Sequence, residues 1–360
     1  IHFKSPEAVK PLVQELSLRD CRLHALEGLE RLGPLARSEA MVPLTALLES
    51  REEGWVRAMA ARLLASLGQG EAIGPLRRAL EADHSEVQAA AAASLRQDSF
   101  REHASEVLPV LARLEVESRS PLVRQQARWS RRWFQAPKPG TEEARAFESA
   151  TFEAWEERRR SAEHCPTVTR REGGSEVKTA HEVLLLHHFR WREPPPETKG
   201  ACLGQPELEW ATFLEPLGGM CLIGQSEGFG GGLSLSGQGA RTVLRWGVSA
   251  DVALRLHGHF VVLTSTPHLH LPEGELLRID RTVSGTWVAV PWVTLPGSWE
   301  GYAYDTQGNL VVATESPPEP IYDGVAAEPE CTYDMVRITR DGQLEDFTPR
   351  ESSLPGAQPL

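Results

Sequence analysis

The residues best equipped for chemistry in this sequence are paired histidines: His187-His188, His257-x-His259 and His268-x-His270. On an extended strand, positions i and i+2 face the same side, so an H-x-H pair can offer two imidazole nitrogens to one metal ion. The second and third pairs start eleven residues apart, with Glu273 and Asp280 nearby, so His257, His259, His268 and His270 form a candidate metal set. The surrounding residues weigh against it. His268-Leu-His270 lies between Pro267 and Pro272 and reads as loop, while His257-Gly-His259 reads as a hairpin turn. The expectation is polar turn residues, no stoichiometric metal and no cofactor. The glycine-rich stretches Gly228–Gly232 and Gly237–Gly239 lack the Lys-Ser/Thr pair and following helix of a phosphate loop, and read as turns. Ser226, Ser234 and Ser236 have no nucleophile elbow around them.

Recognition is the other chemistry on offer. Residues 315–334 are long, acidic and proline-rich, and interrupt a run of strands either as a partner-contacting loop or as an unstructured insertion. Within it, Glu319, Tyr322, Asp323, Glu328, Glu330 and Tyr333 are candidate partner-binding residues. Carboxylates steer a basic partner, and tyrosine gives wide contact area with few rotors. Arg124 and Arg128, at i, i+4 and followed by Arg131 and Arg132 beside Trp129 and Trp133, form a second candidate surface. They read either as a phosphate-contacting stripe or as a capping helix whose tryptophans pack on the next domain and whose arginines meet its acids. The capping reading is preferred, because four arginines are a thin footprint for nucleic acid on an acidic chain.

The elements that must position these residues belong to a globular chain of 360 residues, 41% hydrophobic and 24% charged. No apolar run reaches the roughly 18 residues of a spanning helix. The chain opens on Ile1 without a signal-like segment, so an incomplete or processed N-terminus is expected and the cytoplasm is the default compartment. Five cysteines without a C-x-x-C pair argue against a zinc module and against a disulfide-stapled scaffold. The net charge of −12 is uneven: residues 1–139 carry +2 and residues 140–360 carry −14. An acidic second half disfavours nucleic acid and anionic membrane, and suits solubility or a basic partner.

The first part repeats. Val9-Lys-Pro11-Leu recurs as Val42-Pro43-Leu, Ile73-Gly-Pro75-Leu and Val107-Leu-Pro109-Val, with the prolines 32, 32 and 34 residues apart. Between them runs a second helix, Cys21–Leu32, Val56–Leu67, Val87–Leu95 and Val123–Trp133, in which Arg22, Arg57, Gln88 and Arg124 hold one place. Two short helices per 30–34 residues make a stacked α-solenoid. The Val-Arg-x-x-Ala-Ala of Val56–Ala61 and the Pro-Leu of the alternate helices resemble HEAT repeats, particularly the short phycobilin-lyase-type variant, over residues 6–134. The resemblance implies a surface presented to another molecule; lyase activity is not carried over.

From residue 181, apolar runs of four or five residues alternate with Gly- and Pro-bearing turns, an all-β pattern. Ser249–Thr264 parallels Gly301–Thr314, and each is followed by a related strand pair. These units, closest over Leu295–Phe347, resemble NHL-type and gluconolactonase-type β-propeller blades, and the resemblance implies a small or degenerate propeller of some four blades. The lactonase family's Pro-Asn-Gly metal stretch falls at Ser298-Trp-Glu-Gly301 here, with Gly247-Val-Ser249 in the preceding copy, so the motif is missing.

The expected organisation is a HEAT-like helical domain over 1–138, a linker and bridging helix over 139–165, a propeller-like β domain over 166–350 and a flexible tail over 351–360. The expected function is a non-enzymatic interaction or scaffold protein that binds another protein, one concrete form being an inhibitor or immunity-type binder of a basic partner. The alternative is a propeller-type lactonase or hydrolase, metal-dependent through the histidines.

Overall fold

The computed structural model describes residues 5–137, positions 141–143, 146, 150 and 153, and position 202. Further along it describes 167–171, 174–178, 183–187, 211–225, 231–237, 240–246, 248–265, 274–305, 307–315, 319–322, 325–327 and 333–347. The chain divides into two compact units, one of residues 1–151 with 320–325 and one of residues 152–319 with 326–360.

The first unit is made of helix pairs. They are α1 (Val9–Glu15) with α2 (Arg22–Leu32), α3 (Arg37–Leu48) with α4 (Gly54–Gly68), α5 (Ile73–Ala79) with α6 (Ser85–Ser94), and α7 (Ala104–Glu117) with α8 (Pro121–Gln135). The repeated prolines all fall in the first helix of a pair. Pro11 and Pro75 sit in a first turn, where an amide hydrogen has no intrahelical acceptor anyway. Pro43 and Pro109 lie inside helices led in by the 3-10 turns Gly33–Ala36 and Asp98–His103.

The second helices carry the stack: α4 packs on α6, and α6 on α8. Their facing positions are small, with Ala58, Ala60, Ala61 and Ala65 of α4 and Ala89 to Ala92 of α6 all buried. Small side chains let helix axes approach closely, and leucines from the first helices, such as Leu44, Leu76 and Leu111, close the core from the other side. Gly54, which opens α4, lies against the imidazole of His84, the N-cap of α6. A Cβ at residue 54 would come within 2.3 Å of that ring, so successive repeats interlock at a glycine.

The second unit is antiparallel throughout its described strands. One sheet is β4 (Ala211–Leu217), β5 (Met220–Gln225), β6 (Gly232–Gly237) and β7 (Ala240–Trp246) in chain order. Another is β8 (Ser249–Leu256), β9 (His259–Ser265), β10 (Gly274–Arg281) and β11 (Trp287–Thr294), again in chain order. A third run, β12 (Ser298–Tyr304), β13 (Leu310–Glu315), β16 (Tyr333–Ile338) and β17 (Leu344–Asp346), continues across one Tyr302–His187 pair into β1 (Thr167–Arg171), β2 (Gly174–Lys178) and β3 (Val183–His187). Leu222, Leu233 and Leu235 of the first sheet share one core with Phe260, Val262 and Leu277 of the next.

Several expectations change here. The acidic segment is partly structured: Glu319–Tyr322 (β14) and Val325–Ala327 (β15) form a two-stranded sheet, while β13 and β16 pair directly around the insertion. In the glycine-rich region Gly232 opens and Gly237 closes the regular strand β6, while positions 226–230 and 238–239 lie outside the described residues. Gly224 is required opposite β6 in β5, because a Cβ there would meet the Phe213 ring at 2.2 Å. Of the bridging segment, position 141 is a bend, positions 142, 143, 146, 150 and 153 are helical and the rest lies outside the described residues, as does the tail after residue 347.

The cysteine reading also changes. Cys202 and Cys221 are joined by a disulfide with Cα atoms 4.9 Å apart, 19 residues apart in sequence. Spacing along the chain says little about such a pair, because strand β5 brings Cys221 to a residue that precedes β4. Closing a loop of this size stabilises the folded state by about 3 kcal/mol. A reductant should therefore lower the thermal midpoint of the β unit while leaving the helical unit unchanged, as read by calorimetry with and without dithiothreitol. Leu64 and Leu111 are fully buried. Leu64→Asp or Leu111→Asp should unfold the helical unit, since burying an unpaired carboxylate costs several kcal/mol; loss of helical ellipticity checks this.

Candidate partner-binding site

The second helix of each repeat carries a position that ties one repeat to the next. Arg22 donates Nε to the Leu16 carbonyl, where α1 ends, at 2.9 Å and reaches Glu52 in the following repeat at 2.7 Å. Arg57 does the same one repeat on, with Nε to the Leu48 carbonyl at 3.0 Å and a terminal nitrogen 2.8 Å from Asp83. Both side chains are largely buried, at 8% and 13% exposure. The Arg57 hydrogen bond holds the Asp83 carboxyl below its ordinary range. A parallel row links Glu49 to Arg78 and Glu81 to Arg113.

The third junction breaks the first row. The N-caps Glu53, His84 and Ser120 align the last three repeats, so that Arg57, whose bonds Arg22 duplicates, corresponds to Gln88. Glu52 and Asp83 correspond to Arg119, so the guanidinium has become an amide and the acid has become a cation. Neither the Gln88 side chain nor Arg119 has a hydrogen-bond or ionic partner among the described residues. A cavity of about 440 Å³ opens at this junction, lined by Leu80, Glu81, Gln88, Arg113, Glu117 and Arg119 among others. Gln88 stood in the same sequence column as three arginines; its departure from them was the available signal for this cavity.

The arginines singled out from sequence serve the helical unit. Arg124 donates to the Ser118 carbonyl at 2.9 Å, and Arg128 and Arg131 approach Glu115 of α7 at 3.4 and 2.6 Å. Trp129 lies under the Arg96 guanidinium and Trp133 under that of Arg101. The expected partners were acids of the next domain; those found include Glu115 and the Ser118 carbonyl of the same repeat, because a helix that closes a stack still faces the helix before it.

The histidines separate. His257 occupies a turn at φ +49° with its Nε2 3.1 Å from the Asn309 Oδ1, while the His259 ring lies 5.8 Å from that of Trp292. His268 and His270 lie outside the described residues, and no metal-binding group of His, Cys, Asp or Glu is found among the described ones. Glu319 and Tyr322 lie on β14 and Tyr333 on β16, where it pairs with Glu315; Asp323, Glu328 and Glu330 lie outside the described residues.

In the β unit, three sheets begin alike. A bulge interrupts β4 against β5 at Thr212, β8 against β9 at Asp251 and β12 against β13 at Glu300. This register places Ser249–Val252, not Gly247–Ser249, in correspondence with Ser298–Gly301, because the hairpin from Gly301 to its partner Ala313 is one residue longer than that from Val252 to Leu263. Adjacent first strands are tied at these ends: Thr212 Oγ1 donates to the Ala250 carbonyl, and Trp299 Nε1 donates to Asp251 at 3.1 Å. Ser249 and Ser265 also donate to Asp251, at 2.7 and 2.8 Å, so both carboxylate oxygens are engaged.

Burial pushes the Asp251 carboxyl above its ordinary range, against the pull of those three donors. The folded chain therefore holds this proton at a pH where the unfolded chain has lost it. The contribution is fully present below the unfolded value of about 3.9 and is lost as pH rises to the folded value. Compared with Asp251→Asn, the native protein should lose relative stability as pH rises from about 3.9 and then level off. Chemical denaturation of both proteins across that range checks the sign; a relative gain would reverse it.

Residues 41–132 match the family model of HEAT repeats. No curated protein matches the chain. No solved structure matches it either.

Proposed function

We propose that this protein is a non-enzymatic interaction protein whose helical unit captures another, basic protein. HEAT repeats generally present surfaces to other proteins, and the short phycobilin-lyase-type form is the variant we assign here, without the lyase activity. The observation that carries the reading is the open junction at Gln88. A repeat array whose first two junctions set an arginine on the carbonyl that ends the preceding helix has Gln88 in that place here, with Gln88, Glu117 and Arg119 all lacking partners among the described residues. The acidic balance of residues 140–360 supports a basic partner through long-range steering. An inhibitor or immunity-type role is one concrete form.

The β unit is read as a small, degenerate propeller. Support comes from two complete four-stranded antiparallel sheets and a third four-strand run, with a shared bulge near the start of each first strand. Asp251 and Asp305 offer the hydrolase alternative buried carboxylates, yet hydrogen bonds from Ser249, Ser265 and Trp299 employ Asp251 in joining strands, and those from Gln307 and Asn309 employ Asp305 in its turn. The Cys202–Cys221 bond supports an oxidising compartment over the cytoplasmic default.

Capture should be strong at low ionic strength and decline as salt rises, since exposed charges are screened within about 8 Å at physiological salt. Cross-linked affinity capture from the native source, followed by the charge of what is retained, is the test. Retention of an acidic partner, or capture indifferent to salt, would overturn the basic-partner reading. Deleting Pro317–Glu330 should weaken capture while leaving the melting temperature of both units unchanged; unchanged capture would assign recognition to the helical unit alone.

A further inference from the structure

We propose that the cavity at the third repeat junction is a receptor for a single arginine side chain of the partner, which completes the row that Gln88 leaves open. The inference rests on the interaction-protein reading and names the site and the chemistry.

The fold supplies its own template. At the first two junctions the corresponding place is filled by a guanidinium, which donates Nε to the carbonyl ending the first helix and a terminal nitrogen to a carboxylate. At the third junction the corresponding carbonyl, that of Leu80, has no guanidinium on it among the described residues, and the cavity opens beside it. The remaining features favour a cation. Glu117, the last residue of α7 and part of the cavity lining, has no partner among the described residues, whereas Glu115, the counterpart of Glu49 and Glu81 in the parallel row, is taken by Arg128 and Arg131. The 14-residue helix α7 also ends here, at Ser118, with the negative end of its dipole toward the cavity. Gln88 can accept a hydrogen bond through Oε1 in the position where Arg22 and Arg57 donate.

Two cations line the same cavity. Arg113 is already neutralised by Glu81 at 2.9 Å. Arg119 is exposed and stands where Glu52 and Asp83 receive their guanidinium. It opposes an incoming arginine, and so sets how tightly one is held. Arginine is specified over lysine because the template geometry uses two donors in a fixed fork, one to a carbonyl and one to a carboxylate.

The test uses the full chain and three capped pentapeptides, Gly-Ser-Xaa-Ser-Gly, with arginine, citrulline or glutamate at the centre, titrated by NMR with the Gln88 side-chain amide as reporter. The arginine peptide should bind saturably, with the citrulline peptide at least about tenfold weaker, as expected when a charge-assisted bond becomes a neutral one. Gln88→Arg places a tethered guanidinium in the slot and should abolish peptide binding without lowering the melting temperature. Arg119→Glu should tighten the arginine peptide. Equal binding of arginine and citrulline, preferential binding of glutamate, or undiminished arginine binding by Gln88→Arg would each overturn the proposal. Capture of the native partner by Gln88→Arg separates the two readings. Capture that persists in this variant defeats the arginine slot alone, whereas native protein that captures nothing defeats the interaction reading itself.

Discussion

The hydrogen bond from an arginine Nε to the last carbonyl of the preceding helix holds the helical unit in register. A helix end leaves carbonyls without intrahelical partners, and a short helix has few other means of satisfying them. Arg22 and Arg57 meet that need and in the same stroke reach an acid of the next repeat. One side chain thus closes a helix and sets the distance to its neighbour. The alanine faces of α4 and α6 can then pack closely, because the spacing is already fixed at the rim.

Such an arrangement is nearest-neighbour in character. Each junction stands largely on its own residues, so one junction can depart from the rule without dissolving the array. Gln88 and Arg119 are that departure. The interlock of Gly54 with His84 belongs to the junction before, and Ser130, bonded to the Ala92 carbonyl, holds α8 on α6 across the same junction. The open place therefore sits in a frame that holds its shape.

Much of the helical unit was legible from residue type and spacing. Proline at intervals near 32 marks the first helices, and Val-Arg-x-x-Ala-Ala marks a helix that must pack closely on its neighbours. The meaning of Gln88 was not legible, because a column of residues shows a substitution but not the carbonyl and carboxylate it fails to reach. The β unit was harder for a physical reason. Strands such as β5, β9 and β13 have both faces covered and read as short apolar runs, whereas β4 is largely half-exposed, with Glu215 inside it, and gives no such run. The repeat between Ser249–Thr264 and Gly301–Thr314 was visible, but a one-residue difference in hairpin length hid the correspondence of Asp251 with Glu300. The disulfide had no sequence signature, since its geometry is made by the sheet.

The pairing of Glu315 with Tyr333 closes the ladder between β13 and β16 and leaves the intervening residues outside it. Entry to and exit from that insertion are cross-strand neighbours, about 5 Å apart. Any segment whose ends meet at that spacing satisfies the sheet equally well, and doubling its length costs only about 0.6 kcal/mol in closure entropy. Selection can therefore lengthen, shorten or recompose this stretch in one lineage without renegotiating the core beneath it. Among related chains the sheet should be the part that is inherited, and the insertion the part that diverges.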